Sequence, residues 1–201
     1  MLPRSEDALR SLLTSVFGAL LAATGSAAAA DDFSGFADSG GEGLFGIFDE
    51  VRFGGSFSLP SNEPDGVLVN GQLLFTTFAP PFDNYWLNTI LRPRPHFGAT
   101  VATDNGTNQI FGGLTWTFPL YRSLFLEASF GGTWHDGPLE SAGDGPDLGC
   151  EVLFRESLGL GVDLGPRWRV IAAADHSSHS DLCDGGNSGL THAGLYVGYR
   201  F

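Results

Sequence analysis

Alternation with a period of two residues, repeated in about eight segments, constrains this 201-residue chain more than any other feature. The segments fall near 50–59, 66–78, 95–103, 109–118, 123–135, 149–162, 167–178 and 189–201. Each is about ten residues long, rich in Gly, Phe, Val and Leu, and set off by turn signals. In the fourth, Ile110, Leu114, Trp116 and Phe118 oppose Gln109, Gly113, Thr115 and Thr117. In the fifth, Leu124, Leu126, Ala128, Phe130 and Trp134 oppose Glu127, Ser129, Gly131, Thr133 and His135. In the seventh, Trp168, Val170, Ala172 and Ala174 oppose Arg167, Arg169 and Asp175; in the last, Leu195, Val197, Tyr199 and Phe201 oppose His192, Gly194, Tyr196 and Arg200. One face is apolar with aromatic ends, and the other is polar, charged or glycine. No run after residue 30 reaches the roughly 20 apolar residues of a membrane helix.

This pattern predicts an all-β fold, an eight-stranded antiparallel transmembrane β-barrel of the outer-membrane type over residues 50–201. A soluble barrel or sandwich also alternates, with its polar face in water and its apolar face in a core. The even strand count, the aromatic Phe201 on the outward face and the signs of export favour the membrane barrel. The lumen of eight strands is narrow and filled by side chains, so Arg52, Arg155, Arg169 and Arg200 are expected to pair there with Glu127 and Asp175. A small porin is disfavoured by the same narrowness.

Export is read from the first 30 residues, expected to be a signal peptide. Arg4 and Arg10 precede an apolar stretch from Leu12 to Ala23, and small residues follow to Ala28-Ala29-Ala30. A lone membrane anchor is the alternative, but the apolar stretch is short for a span. Residues 31–49 are expected to form a flexible Gly- and Ser-bearing segment. The four charges of 1–30 cancel, so the mature chain keeps the net charge of −13. No polybasic surface exists, which argues against a nucleic-acid partner.

With the N-terminus periplasmic, the joints Pro119–Arg122 and Asp163–Pro166 are short periplasmic turns. Pro80–Leu91, at the same end, is longer, and Asn84–Ile90 reads as a helical turn. The loops 136–149 and 179–188 fall at the outer end and bring Cys150 and Cys183 together. In an exported chain such a pair reads as a disulfide; a metal site is the weaker reading, because further ligands at suitable spacing are lacking.

The chemistry is concentrated in Asp175–Phe201. His176 and Ser178 lie two apart in a strand, so both side chains point to one face about 7 Å apart along it. A base beside a hydroxyl is the minimum for nucleophilic acyl transfer. Parity puts both on the lipid face with Ala172 and Ala174, near the outer end. The bland alternative is two ordinary residues in the headgroup zone.

Around that pair stand His176-Ser177-Ser178-His179, Leu182-Cys183-Asp184, Asn187-Ser188-Gly189-Leu190-Thr191 and Gly198-Tyr199-Arg200-Phe201, with Leu153–Ser157 in the strand before. Over roughly 149–201 these elements resemble the PagL-like lipid A deacylases, or acyloxyacyl hydrolases. The resemblance implies an eight-stranded outer-membrane barrel that hydrolyses an ester-linked acyl chain at the 3-position of lipid A. Lipopolysaccharide in the outer leaflet is the implied partner, and the implied machinery is Ser178, His176 and an acidic residue, with no metal or organic cofactor. Two positions depart from the family pattern. His179 stands where the family has the Asn held to support the oxyanion, and His179 is the candidate donor here. Thr191 and His192 stand near the start of the last strand, where an acid is expected. Glu156 is the replacement candidate: it shares the lipid-facing parity of Phe154 and Leu158, and a three-residue turn would pair it with Ala174, diagonal to His176. A carboxylate on a lipid face is costly and invites a functional explanation; the alternative is a bulge turning Glu156 inward to an arginine. Asp181 and Asp184 are loop candidates for the same role. A non-catalytic structural or adhesin-like barrel of the same family is the competing function. The acidic balance itself repels lipid A phosphates unless cations bridge the two, or else it solvates loops.

Overall fold

A computed structural model describes residues 46–59, 66–140, 145–180 and 182–201. The expected leader 1–30, and 31–45 of the expected N-terminal segment, lie outside them. Eight strands form a closed barrel in sequence order: β1 (Phe48–Ser58), β2 (Val67–Phe75), β3 (Arg94–Ala102), β4 (Gln109–Tyr121), β5 (Leu124–His135), β6 (Val152–Asp163), β7 (Trp168–Ser178) and β8 (Leu190–Arg200). Every neighbouring pair is antiparallel, and β8 closes on β1 from Glu50↔Arg200 to Ser58↔His192. Closure removes the unpaired strand edges that a lipid environment does not tolerate.

The alternation sorts itself as the sequence predicts. Outward positions carry exposed Phe53, Phe97, Leu114, Leu158, Leu195 and Val197. Aromatic clusters mark both rims of this apolar band: Trp168, Tyr199 and Phe201 interlock at one end, with ring centroids 4.9 and 5.7 Å apart. Phe130 and Phe154 stack at 5.9 Å nearer the other end. Such girdles belong at the two interfaces of a bilayer.

Inward positions are buried; Leu68, Leu74, Phe111, Phe125 and Ile171 are among them, and the polar majority is joined. Arg52 grips Glu127 with two nitrogens at 2.5 and 2.8 Å and reaches Glu50 with Nε at 2.6 Å. Glu50 also accepts from Arg94 at 2.8 Å and from Arg169 at 3.1 Å. Arg169 continues to Asp163 at 3.0 Å, and Arg200 lies 3.6 Å from Asp163. Further along the lumen Arg155 pairs with Asp175 at 3.1 Å while its guanidinium sits 3.8 Å from the Phe111 ring centroid. Expected arginine pairing is therefore present, but its hub is Glu50, the first residue of the expected strand. Arg94, just outside the expected third strand, joins it too.

The connections differ in kind. At one end Arg122 and Ser123 join β4 to β5, and Leu164–Arg167 join β6 to β7. β4 runs on through Pro119 to Tyr121, past the expected stop at 118. Proline is tolerated there because the register slips between Pro119 and Tyr121, a bulge where no ladder donor is needed. Between β2 and β3 lies a helix, α1 (Tyr85–Leu91), whose N-cap Asn84 accepts from the Leu87 amide at 3.1 Å. The other end carries the outer loops, which contain no helix among the described residues. There Leu148, Leu153 and Leu190 make a small buried cluster against Cys150. Cys150 and Cys183 are disulfide-bonded, with Cα atoms 6.0 Å apart. β6 begins at Val152, not 149, because Leu148–Cys150 fold into this cap: the Gly149 amide donates to the Leu139 carbonyl at 2.9 Å.

Candidate active site

β6, β7 and β8 lie side by side, and their loop-end tips carry the polar residues that interrupt the apolar outer wall. His176 and Ser178 occupy the end of β7 with outward parity, both half-buried, while Asp175 and Ser177 point inward and are buried. Thr191 pairs with His176 from β8, and Glu156 pairs with it from β6. Four polar side chains thus share one patch of outer wall. A shallow hollow beside it is floored by Ala174 and edged by Leu158, Glu156, His176 and Thr191.

The register corrects one expectation. Glu156 stands directly across from His176, and it is Leu158 that pairs with Ala174. The diagonal placement assumed a three-residue turn, but the last paired positions are Asp163 and Arg169, two residues wider. Gly165, at φ +117, and Pro166 make that wider turn, and the Leu164 amide closes it on the Trp168 carbonyl at 2.8 Å. The alternative bulge in β6 is not there: its pairing with β5 and β7 runs without a slip, and Glu156 stays exposed on the outer face.

His176 is held from two sides. Its Nδ1 lies 2.8 Å from the Thr191 hydroxyl. With Nδ1–H donating to Oγ1, the other nitrogen is left with a free lone pair, the tautomer that a general base needs. Gly189 packs against the adjoining Cε1–Nε2 edge. A Cβ there would lie 2.8 Å from His176 Cε1, and the residue sits at φ +66, so glycine is required twice over. No hydrogen bond joins Ser178 or Glu156 to His176 among the described residues. The i, i+2 spacing leaves the approach of Ser178 Oγ to Nε2 to side-chain rotation.

His179 is placed differently from its expected role. It lies beyond the end of β7, is 2 % exposed, and its Nε2 bonds the Gly186 carbonyl at 3.0 Å. Its backbone amide donates to Asn187 Oδ1 at 3.3 Å. The ring is a strut under the outer loops, not a donor on the Ser178 face. Asn187, Ser188 and Gly189 therefore read as a structural unit: Asn187 holds the end of β7, Ser188 bonds Asp147 of the neighbouring loop at 2.8 Å, and Gly189 makes room for His176. Asp184 is exposed in the loop, and Asp181 lies outside the described residues. Among the described residues no group of three His, Cys, Asp or Glu side chains is arranged to hold a metal.

Thr191 is the residue that reading by strand missed as a partner for His176. Its parity with Leu195 and Val197 marked it as outward, and only the β7–β8 register shows which residue it faces.

Comparison with known proteins bears on the fold and the family. The family model described as "Lipid A 3-O-deacylase (PagL)" matches residues 67–200. A crystal structure of the outer membrane enzyme PagL is similar in fold, with TM-score 0.56 and 17% identity, over 74% of this chain and 97% of that one. The N-terminal β-barrel domain of Pseudomonas aeruginosa OprF is more distant, with TM-score 0.48 and 14% identity over 77% of this chain and 98% of that one. Ail of Yersinia pestis gives TM-score 0.45 and 15% identity over 77% and 99%. No curated protein sequence matches.

Proposed function

Because the chain belongs to the lipid A 3-O-deacylase (PagL) family of outer-membrane barrels, we propose that its outer wall hydrolyses an ester-linked acyl chain of lipid A, with Ser178 as nucleophile and His176 as base. One observation carries this reading: an imidazole anchored through Nδ1 shares the lipid-facing side with a serine two residues on, at the loop end of β7. Nε2 takes the Ser178 proton as Oγ attacks the ester carbonyl. The tetrahedral intermediate collapses, and the sugar oxygen leaves with the proton that His176 returns. Water from the headgroup side then attacks the acyl-enzyme, with His176 again taking the proton, and the fatty acid departs.

The acid of this reading is shared between two positions. Thr191 orients the imidazole but supplies no negative charge. Glu156, directly across on β6, supplies charge to the imidazolium that forms during attack, without a hydrogen bond to it. Neighbouring outward positions of this kind lie about 5 Å apart between β-carbons, close enough for such support. His179 acts by holding the loop and not by contacting the oxyanion.

The neutral Thr191 on Nδ1 favours a second reading, a catalytically silent barrel of the same family. Lipid A mass spectrometry decides between them. Cells expressing the wild-type protein should lose one acyl chain from lipid A, and Ser178→Ala should restore the full chain set at equal barrel abundance. Unchanged deacylation by the variant removes Ser178 from the mechanism; no deacylation by the wild type supports the silent barrel.

A further inference from the structure

The connection between β2 and β3 contains a helix that is inside out for life in water. In α1, YWLNTIL, Trp86, Leu87, Ile90 and Leu91 share one arc, and Tyr85, Asn88 and Thr89 the other. A helix on a water-bathed surface turns its apolar arc to the protein. Here the four apolar residues are 48–64% exposed and no residue of the helix is buried. The polar arc is the one bonded to its own connection: Asn88 Oδ1 accepts from the Phe82 amide at 3.1 Å and from Arg92 at 3.2 Å.

The position of the helix gives the inversion its meaning. Trp116, on the outward face of β4, donates its indole N–H to the Ile90 carbonyl at 2.8 Å. That carbonyl is one of those a helix C-terminus leaves without an intrahelical partner. Water would satisfy it at a wetted surface, whereas beside hydrocarbon a protein donor is required. α1 is thus clipped to the lipid-facing wall at the turn end, beside exposed Phe78 and Phe82.

We propose that α1 lies in the periplasmic leaflet of the outer membrane, its apolar arc among phospholipid acyl chains, as an anchor that fixes the depth of the barrel. Continuity argues for lipid over a periplasmic protein: through Trp116 the arc runs into a wall that already faces lipid. Insertion is apolar in origin, because α1 has no charged residue, and Trp86 and Tyr85 suit an interfacial depth. In a ring of eight strands β3 stands opposite β7, so an anchor there governs tilt and with it the height of the wall bearing His176.

The test uses the folded full-length barrel in phosphatidylethanolamine–phosphatidylglycerol vesicles, carrying a nitroxide at Leu87→Cys or, separately, at Ile90→Cys. Both native cysteines are held in the disulfide, so labelling without reductant is selective. Leu195→Cys on the wall and Asp104→Cys in an outer loop serve as lipid and water references, and heat-modifiable gel migration confirms folding. The expected result is a several-fold excess of collisions with oxygen over those with a water-soluble nickel complex at both α1 positions, as at Leu195. A nickel preference like that of Asp104 overturns the proposal. So does shielding from both reagents, which means protein covers the arc, or shielding that appears only when periplasmic extract is added, which means a protein partner does.

Discussion

Two sets of polar residues in this barrel live under opposite rules. Inside, Glu50, Arg52, Arg94, Glu127, Arg169 and Asp163 form one continuous ion-paired network in which each charge is met by at least one opposite charge. Outside, His176, Ser178, Glu156 and Thr191 share a single hydrogen bond among them, on a wall otherwise given to leucine, valine and aromatics. The inner set is saturated and has nothing left to offer a substrate. The outer set sits where polar groups are least welcome and keeps its bonding capacity free, the condition under which burial near lipid points to chemistry. Charge in this molecule is therefore structural where it is dense, and the proposed chemistry falls where it is sparse.

The comparison can be broken from either side. His176→Asn should have the largest effect on activity, a loss of about 10⁶-fold, as when the base of other such catalytic units is removed. The urea midpoint of the folded barrel in vesicles should stay in place; a shift of midpoint with activity retained would make His176 part of the scaffold. Glu50→Ala should do the reverse. It leaves Arg52, Arg94 and Arg169 short of a partner and should cost about 3–5 kcal/mol of unfolding free energy. Deacylation per folded molecule should persist, since Glu50 lies inside and at the turn end. Smaller effects sharpen the comparison. Thr191→Glu puts a carboxylate on Nδ1 and should raise the deacylation rate about tenfold, the worth of exchanging a neutral for a charged hydrogen bond. Thr191→Val should lower it, and Glu156→Gln should lower it further in the Thr191→Val background than alone. The smallest stability effect is that of Gly189→Ala, about 1–2 kcal/mol for a left-handed backbone. Its added methyl would meet the His176 ring, so turnover should fall while the barrel still migrates as folded.

Much of this division was legible in the alternation itself. Parity alone sends Trp168, Val170, Ala172, Ala174, His176 and Ser178 to one face and Asp175 to the other, and the structure keeps them there. What one strand at a time cannot reveal is what stands beside it. The Glu50 network joins residues 75 and 119 positions apart across the lumen, and no local pattern encodes those partners. The facing of Glu156 and His176 depended on the turn at Leu164–Arg167, where Gly165 and Pro166 widen the link by two residues; slips of two leave parity intact and so leave no trace in the pattern. The direction of the His179 side chain is set by something else. This residue lies past the last ladder pair of β7, where a period of two no longer governs direction and the loop cap takes over.

The seam between β1 and β8 has its own bearing on how the molecule comes to work. It joins Glu50 to Arg200 and Ser58 to His192, contacts between the first and the eighth strand of the barrel. Before it closes, β1 and β8 each present a row of bare amides and carbonyls to hydrocarbon, at several kcal/mol apiece, so half-built forms have no resting place in the membrane. β8 is also the strand that brings Thr191 to His176. Closing the cylinder and setting the proposed site thus fall to one strand: β8 seals the seam with β1 along one edge and carries Thr191 to His176 along the other.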